Sequence, residues 1–207
     1  MQTMVPAQDF FRAAYEHRYT WGPEFPGYQA QVQYQGSLGS ATGEVTVDKN
    51  LKYTVTGIAD EAIRKWVEQQ MWEIITHLGR RPFEKEHDGH VFHYGAVQPD
   101  GSQEVLVQVG DVTNRYHLKD NHITMVYRHL GPHTIEIHVE EFHETPEGSM
   151  AKTYWATVPG MRFQFWDEHG QVGDYWTVTR RRSVQEQNGT RQEHELTFNN
   201  LALLQGV

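Results

Sequence analysis

The chain has no cysteine, no long run of apolar residues and no excess of positive charge, and each absence removes a class of protein. Without cysteine there are no disulfides, no thiol nucleophile and no zinc-thiolate site. Without an apolar run of about eighteen residues, no segment reads as a membrane-spanning helix. Lys and Arg number 18 against 27 Asp and Glu, a formal charge of -9, so the chain lacks a bulk electrostatic grip on nucleic acid or anionic lipid. A Walker loop, GxGxxG, GxSxG, HExxH and an EF-hand loop are all missing, which counts against the common enzyme classes that carry them. The start, MQTMVPAQDFF, has neither the basic region nor the apolar core of a secretory signal, and a cytoplasmic location is the expectation.

Aromatics and histidines are abundant instead: 6 Trp, 10 Tyr, 9 Phe and 13 His in 207 residues. A chain of this length buries enough surface to fold without staples, and we expect a single domain over 1–207. Residues about 6–20 read as a helix, with Pro6 and Asp9 suited to its first turn and Phe11, Tyr15 and Tyr19 at i, i+4 and i+8. From Gly27 the period changes to two. Tyr28, Ala30, Val32 and Tyr34 alternate with glutamines, and Val45, Val47 and Val55 follow suit, giving a three-strand meander over about 27–56. Asp60 caps a second helix over about 60–78, whose apolar stripe includes Ile63, Trp66, Val67, Met71 and Ile74. From about 90 to 204, alternating segments between turn signals such as Asp120-Asn121 and Gly131-Pro132 give about nine further antiparallel strands. A dozen strands joined by short turns do not stay flat. The expected fold class is mainly β (α+β): a large curved antiparallel sheet forming an incompletely closed barrel, with two helices against the concave face. Such a sheet either fills its concavity with aromatic side chains or leaves room there for an apolar ligand.

Register can be argued for Asn114 to His143, because a slip of one residue turns every side chain to the other face. A two-residue loop at Asp120-Asn121 pairs Leu118 with Ile123 and Tyr116 with Met125. In the next hairpin, a two-residue loop at Gly131-Pro132 would set Glu136 and His138 beside Tyr127 and Met125. A three-residue loop over Gly131 to His133 sets Ile137 opposite Tyr127 and Val139 opposite Met125, and makes Arg128 and Glu136 cross-strand neighbours. The second register keeps apolar residues together and is the expectation.

Three polar groupings could carry chemistry. Glu136, His138 and Glu140 at i, i+2, i+4 share a face with His117, Arg115 and Arg128 in that register. Histidine and carboxylate suit zinc or iron, but two arginines repel a cation, and a ladder of opposite charges explains the pattern as well. His87, His90 and His93 recur every three residues, yet Asp88-Gly89 is a turn signal and the next residues read as a strand, which sends His90 and His93 to opposite faces. Neither grouping is read as a metal site, and no cofactor is expected. Arg180, Arg181 and Arg182 follow a strand that we read over Tyr175 to Val178, and alternation separates Arg181 from its neighbours, so they do not form one basic patch.

The aromatics suit the lining of a cavity or simply a dense core. Trp66 and Met71 on the second helix, with Tyr154, Phe163, Phe165 and Trp176 on the late strands, are the candidate lining. Tyr15, Arg18, Tyr19, Trp21 and Tyr28 are expected to cluster where the first helix meets the sheet. There they form either a structural clasp, with the cation stacked on aromatic rings, or the mouth of a binding site.

The strings FRAAYEHRYTW, FPGYQAQV, GDVTNRYHLKDNHITMVYRH and DYWTVTRRR resemble an uncharacterised family of cyanobacteria and plant chloroplasts, the domain-of-unknown-function family 3386. The similarity runs along most of the chain, and the first string is its most specific part. It carries over no catalytic residues, and it implies a photosynthetic-lineage protein on the cytosolic or stromal side. The element order also resembles that of lipoprotein carriers of the LolA/LolB type, half-barrels lidded by helices that hold acyl chains. This chain is expected to depart from them, since its start does not read as an export signal.

The function expected is that of a non-enzymatic binding protein holding a hydrophobic small molecule (lipid, pigment or isoprenoid) under its helices. Two alternatives stay open: an assembly or scaffold factor that binds a protein partner through a sheet edge or aromatic patch, and an enzyme using His and carboxylate groups in the cavity.

Overall fold

A computed structural model describes residues 5–205. The elements run α1 (Ala7–Glu16), β1 (Gly27–Gly36), β2 (Gly39–Asp48), β3 (Tyr53–Thr56), α2 (Glu61–Leu78), α3 (Phe83–Glu86), β4 (Val91–Val97), β5 (Gln103–Val109), β6 (Val112–Lys119), β7 (His122–Leu130), β8 (His133–Thr145), β9 (Gly148–Val158), β10 (Met161–Val172), β11 (Tyr175–Gln187) and β12 (Thr190–Leu203). The strands pair antiparallel in one sheet of order β3-β2-β1-β12-β11-β10-β9-β8-β7-β6-β5-β4, with β3 and β4 as its two edges. The sheet is therefore open, as the turn-punctuated sequence predicts, and the count of twelve strands agrees. Two compact units divide the chain: one holds Met1–Tyr19 and Arg81–Gln164, the other Thr20–Arg80 and Phe165–Val207.

In the first unit α1 lies on one face of β4–β7. Its Phe11 and Ala14 are buried against Val105, Val107, Tyr116 and Leu118, with Phe83 of α3 closing the same cluster. Burying one such Phe is worth about 1.5 to 3 kcal/mol. The helix is shorter than its periodicity suggests. His17 closes it, its backbone N–H donating to the Ala13 carbonyl, and Tyr19 lies beyond the helix as a buried residue. Among the described residues, no side chain caps the α1 N-terminus at Pro6.

In the second unit α2 covers β1–β3 and β10–β12. Asp60 caps it by accepting from Ile63 N–H at 2.9 Å, and Ile63, Val67, Gln70, Met71, Ile74, Ile75 and Leu78 are buried. The strand residues beneath repeat every second position: Tyr28, Val32 and Tyr34 on β1, Val45 and Val47 on β2, Leu196 and Phe198 on β12, all nearly inaccessible. This is the one-face-wet pattern read from the alternating glutamines.

The register of β6–β8 differs from the expectation. Leu118 does pair with Ile123, but Tyr116 pairs with Val126, because the register shifts between His117 and Leu118 and leaves Thr124 as an extra residue. The Thr124 hydroxyl donates to the His117 carbonyl at 3.2 Å. Beyond such a bulge a strand presents the opposite alternation. The β7–β8 loop is then the two-residue Gly131-Pro132 form, with Tyr127 opposite Glu136 and Val126 opposite Ile137. Arg128 pairs with Ile135, on the face opposite Glu136, so these two are not cross-strand neighbours. Apolar pairing is preserved after all; the bulge achieves it, where an unbulged strand would have needed the longer loop.

Gly27 opens β1 at φ 93, and a Cβ there would run into the Val47 carbonyl oxygen and the Asp48 backbone. Gly27→Ala is expected to destabilise the protein by about 2 kcal/mol or more, read as a lower urea midpoint at unchanged m-value.

Candidate functional site

The aromatic chamber beneath α1 is filled by its own packed rings. Phe11 contacts Phe83, Phe92 and Tyr116 at centroid distances of 6.3, 5.3 and 4.9 Å, and the His87 imidazole edge-on at 5.2 Å. Tyr15 meets Phe83 and His87 edge-on, and Phe10 meets Tyr94. These elements converge for local reasons. Phe11 and Tyr15 are i and i+4 on α1, whereas Phe92 and Tyr94 are i and i+2 on β4, opposite Val107 and Val105 of β5. The bulge at Thr124 brings Val126 to the same side as Ile123. Phe92, Tyr94, Ile123 and Val126 remain only partly buried.

The segment that follows α1 carries a buried positive charge. Arg18 lies with its guanidinium carbon 4.0 Å from the Tyr15 ring centroid, and its Nε donates to the Tyr15 carbonyl at 3.1 Å. Burial pulls the Arg18 pKa down from its ordinary value, with Tyr15 acting against this. Burial pushes the Tyr116 phenol up, while the positive charges of Arg128 and Arg18 oppose that rise. Tyr15, Arg18, Tyr116 and Arg128 thus form one electrostatic group. His87 is pushed down to about 4, first by burial, then by His90 and Arg18; its Nδ1 lies 3.1 Å from Nδ1 of His90. His93 is exposed on β4 opposite Leu106, so the three histidines do not converge.

Of the anticipated mouth residues, Tyr15, Arg18 and Tyr19 fall in the first unit, and Trp21 and Tyr28 in the second. The last two belong to a stack in which Trp21 lies 4.3 Å from Phe25 and 6.1 Å from Tyr28, and the Trp21 indole donates to the Trp176 carbonyl at 2.9 Å. The late-strand and helix candidates are likewise dispersed. Trp66 stacks on His194 at 4.6 Å beside Tyr34, whose hydroxyl meets His194 Nδ1 at 2.8 Å. Met71 and Phe165 are buried in the second unit, Tyr154 is buried in the first, and Phe163 is half-buried there. The α2 face of the second unit is packed with Met71 and its neighbours, whereas a groove of about 420 Å³ on this unit is lined by Tyr34 and Ala41 and otherwise by polar residues, Gln33, Gln35, Ser40, Thr42, Glu195 and Thr197, a mainly polar surface unsuited to an apolar ligand.

Beneath α2 lies a feature that sequence reasoning missed. Arg181, 2% exposed, donates to both carboxylate oxygens of buried Asp167 at 2.8 and 2.7 Å, and reaches Gln70 and Glu73 of α2 at 3.2 and 3.4 Å. Phe165 lies 5.3 Å from the guanidinium. Burial pushes the Glu73 carboxyl up, against the pull of Arg181. Alternation does separate Arg181 from Arg180, which pairs with Glu168 and Glu195, and from Arg182, which lies over Trp166. What was not foreseen is that β11 continues to Gln187, so Arg181 is mid-strand and faces inward beside Leu196.

The Glu136–His138 pair forms at 2.7 Å, with His138 stacked on Trp155 at 4.0 Å. His117 shares that face through Met125. Arg128 does not, and Glu140 stands at a register shift between Val139 and Glu141. Among the described residues, a different trio has metal-ligating atoms close together: His17, His122 and Glu144.

Two outcomes are expected. Asp167→Ala, which strands the buried Arg181 charge, destabilises by about 3 to 5 kcal/mol in urea denaturation, and the double change Asp167→Leu with Arg181→Met costs less than this single change; additive losses would show that the pair is not coupled. The second concerns acid. The unfolded chain protonates His87 near its ordinary value of 6.5, whereas the folded protein resists until about 4. Its contribution to stability is therefore present above 6.5 and is lost as pH falls toward 4. Across that window His87→Gln should lose stability less steeply than the parent, and equal slopes would contradict this assignment.

A family model described as Protein of unknown function (DUF3386) matches residues 2–204. No curated protein matches the sequence. Among solved structures, the chain is similar to a domain from Vibrio parahaemolyticus named for outer membrane lipoprotein sorting, at 10% identity over 97% of this chain and 93% of that one, with a TM-score of 0.36. It is also similar to a DUF1329 family protein from Desulfovibrio piger, at 6% identity over 99% and 95% of the two chains, with a TM-score of 0.31. With a match that takes in nearly every residue, including all the strings that suggested it, the chain belongs to the DUF3386 family.

Proposed function

We propose that this protein binds a hydrophobic small molecule bearing an acidic group, with the aromatic chamber of the first unit as its site and α1 as the lid. One observation carries the reading: the chamber floor offers partly buried apolar side chains, Phe92, Tyr94, Ile123 and Val126, whose cover is a ten-residue helix that fully buries Phe11 and Ala14 and packs Phe10 and Tyr15 only partly buried against them. A short lid seated by four such side chains, two of them only partly buried, can be exchanged for a ligand's apolar chain. Its C-terminal end is held by the backbone bonds of His17 and Tyr19 with Ser149, while the rest is tied by surface contacts, Arg12 with Glu84 and the Tyr15 hydroxyl with the Arg81 carbonyl, of a kind that contributes at most about 1 kcal/mol each. Arg18 and Arg128 at one end supply positive charge where a carboxylate or similar group would sit, while the aromatic rings receive the remainder. Among the described residues of the chamber, no group is arranged as a nucleophile with its base, which favours binding over catalysis.

Fluorescence titration with cis-parinaric acid and with its methyl ester tests this. The acid is expected to bind saturably. Phe11→Ala, which removes the lid's own occupant of the chamber, should tighten both ligands several-fold, and Arg18→Gln should weaken the acid by about tenfold with little change for the ester. Circular dichroism melting on the same samples checks that each variant is folded. If neither the parent nor folded Phe11→Ala takes up either ligand, the reading is wrong.

A further inference from the structure

At the end of α1, His17, His122 of β7 and Glu144 of β8 bring two imidazoles onto one carboxylate. His122 Nε2 lies 2.7 Å from Glu144 Oε1, and His17 Nε2 lies 3.7 Å from Glu144 Oε2. The two imidazoles meet edge-on with centroids 5.1 Å apart, and one ligand atom from each residue lies within 4.8 Å of the others. We propose that these three side chains form a binding site for a transition-metal dication of the zinc class.

The backbone builds this convergence. The chain leaving α1 runs beside the start of β9: Ser149 N–H donates to the His17 carbonyl at 2.9 Å, and Tyr19 N–H donates to the Ser149 carbonyl at 2.8 Å. Ser149 is the cross-strand partner of Glu144, so this clamp sets His17 beside that carboxylate. The approach needs Gly148, at φ 141, where a Cβ would meet the His17 carbonyl oxygen at 2.6 Å and the Tyr19 nitrogen at 2.7 Å. His122 is placed by the tight turn at Asp120 and Asn121, both at positive φ, and its ring packs 4.3 Å from Phe142.

Two neutral imidazole nitrogens and one carboxylate oxygen are a donor set for zinc and its transition-metal neighbours, not for magnesium or calcium, which take oxygen. Zinc holds such ligands at about 2.0 to 2.2 Å, which puts tetrahedral donors roughly 3.3 Å from one another, between the shortest and longest separations found here. Rotation of the partly exposed His17 and Glu144 side chains closes the remaining difference. Three protein ligands leave a fourth position for water, on a solvent-accessible side. The negative end of the α1 dipole, at His17, also favours a cation. Lys119, the cross-strand partner of His122, directs its ammonium to the Asp100 carbonyl instead. Neither His87–His90 nor Glu136–His138 offers a third convergent ligand, which distinguishes this trio from the histidine clusters visible in the sequence.

Equilibrium dialysis of the tag-free full chain against ZnCl2, with metal counted by plasma mass spectrometry, is the direct test. One ion per chain is expected. His17→Ala, His122→Ala and Glu144→Gln should each weaken binding by about tenfold or more, whereas changing the exposed His93 or His133 to Ala leaves it unchanged. Co2+ provides an independent readout: the parent should show the ligand-field absorption of a low-coordinate site, and Glu144→Gln should lose it while keeping the parent's circular dichroism. Absence of saturable zinc binding overturns the proposal. So does binding that survives all three substitutions, or that depends on His93 or His133 instead.

Discussion

Antiparallel strands satisfy their backbone groups sideways, strand to strand, but the side chains they align on one face stay in water until something is laid over them. An open sheet has no second layer of its own, so here the covering helices turn an apolar face into a core. The two covers are unequal. The eighteen-residue α2 is capped by Asp60 and buries seven residues over the second unit, enough to make it part of the core. The ten-residue α1 has no side-chain cap and buries two. A helix that short has little stability of its own in water and persists because of what it packs against. The aromatic floor below α1 therefore holds the helix in place and is in turn shielded by it.

The treatment of cationic side chains under the two helices follows the same division. Arg181 is taken into the core of the second unit, but with a bidentate carboxylate, an amide oxygen and a second carboxylate around it. A buried charge held this completely serves packing and orientation and leaves no capacity for a ligand. Arg18, beside α1, has a ring face and a backbone carbonyl as partners. It retains hydrogen-bonding capacity that an incoming anion can use, and it does so in a protein whose formal charge is -9. Long-range attraction for an acidic ligand is thus weak, and selectivity for one must come from this local arrangement.

Much of this architecture is legible in the sequence because its signals are local. The period-two runs from Gly27, the Asp60 cap and the Asp120-Asn121 turn each depend on a few adjacent residues, and each stands where expected. Thr124 marks the limit. A bulge has no distinctive residue type here, yet it turns the rest of β7 over, sending Arg128 to the α1 side and giving Val126, not Met125, to Tyr116. Arg181 shows a second limit: its separation from Arg180 and Arg182 was readable, but the residues that share its face, Thr177, Thr179 and Ser183, are polar, so alternation alone does not mark that face as the buried one. The family strings, by contrast, located the chain correctly without revealing any of this geometry. The His17, His122 and Glu144 grouping has no local signal at all, since its members come from a helix end and two strands that only the tertiary fold brings together.

Gly148 connects the two features of the first unit. Its lack of a side chain lets the segment after α1 run against β9, and that contact fixes both where α1 ends and where His17 points. With a Cβ at this position the segment would have to move away from β9. Phe11 would lose its fixed distance from Tyr116 and Phe92, and His17 would lose its alignment with Glu144. Seating of the helix over the aromatic chamber and convergence of the three polar side chains therefore have a common structural cause, and a change that loosens one must loosen the other. Because the imidazoles and the carboxylate lie at the C-terminal end of α1, any ligand that drew them together would also strengthen the attachment of that end to β7 and β8, leaving the N-terminal turn, with no side-chain cap, as the end of the lid most readily raised.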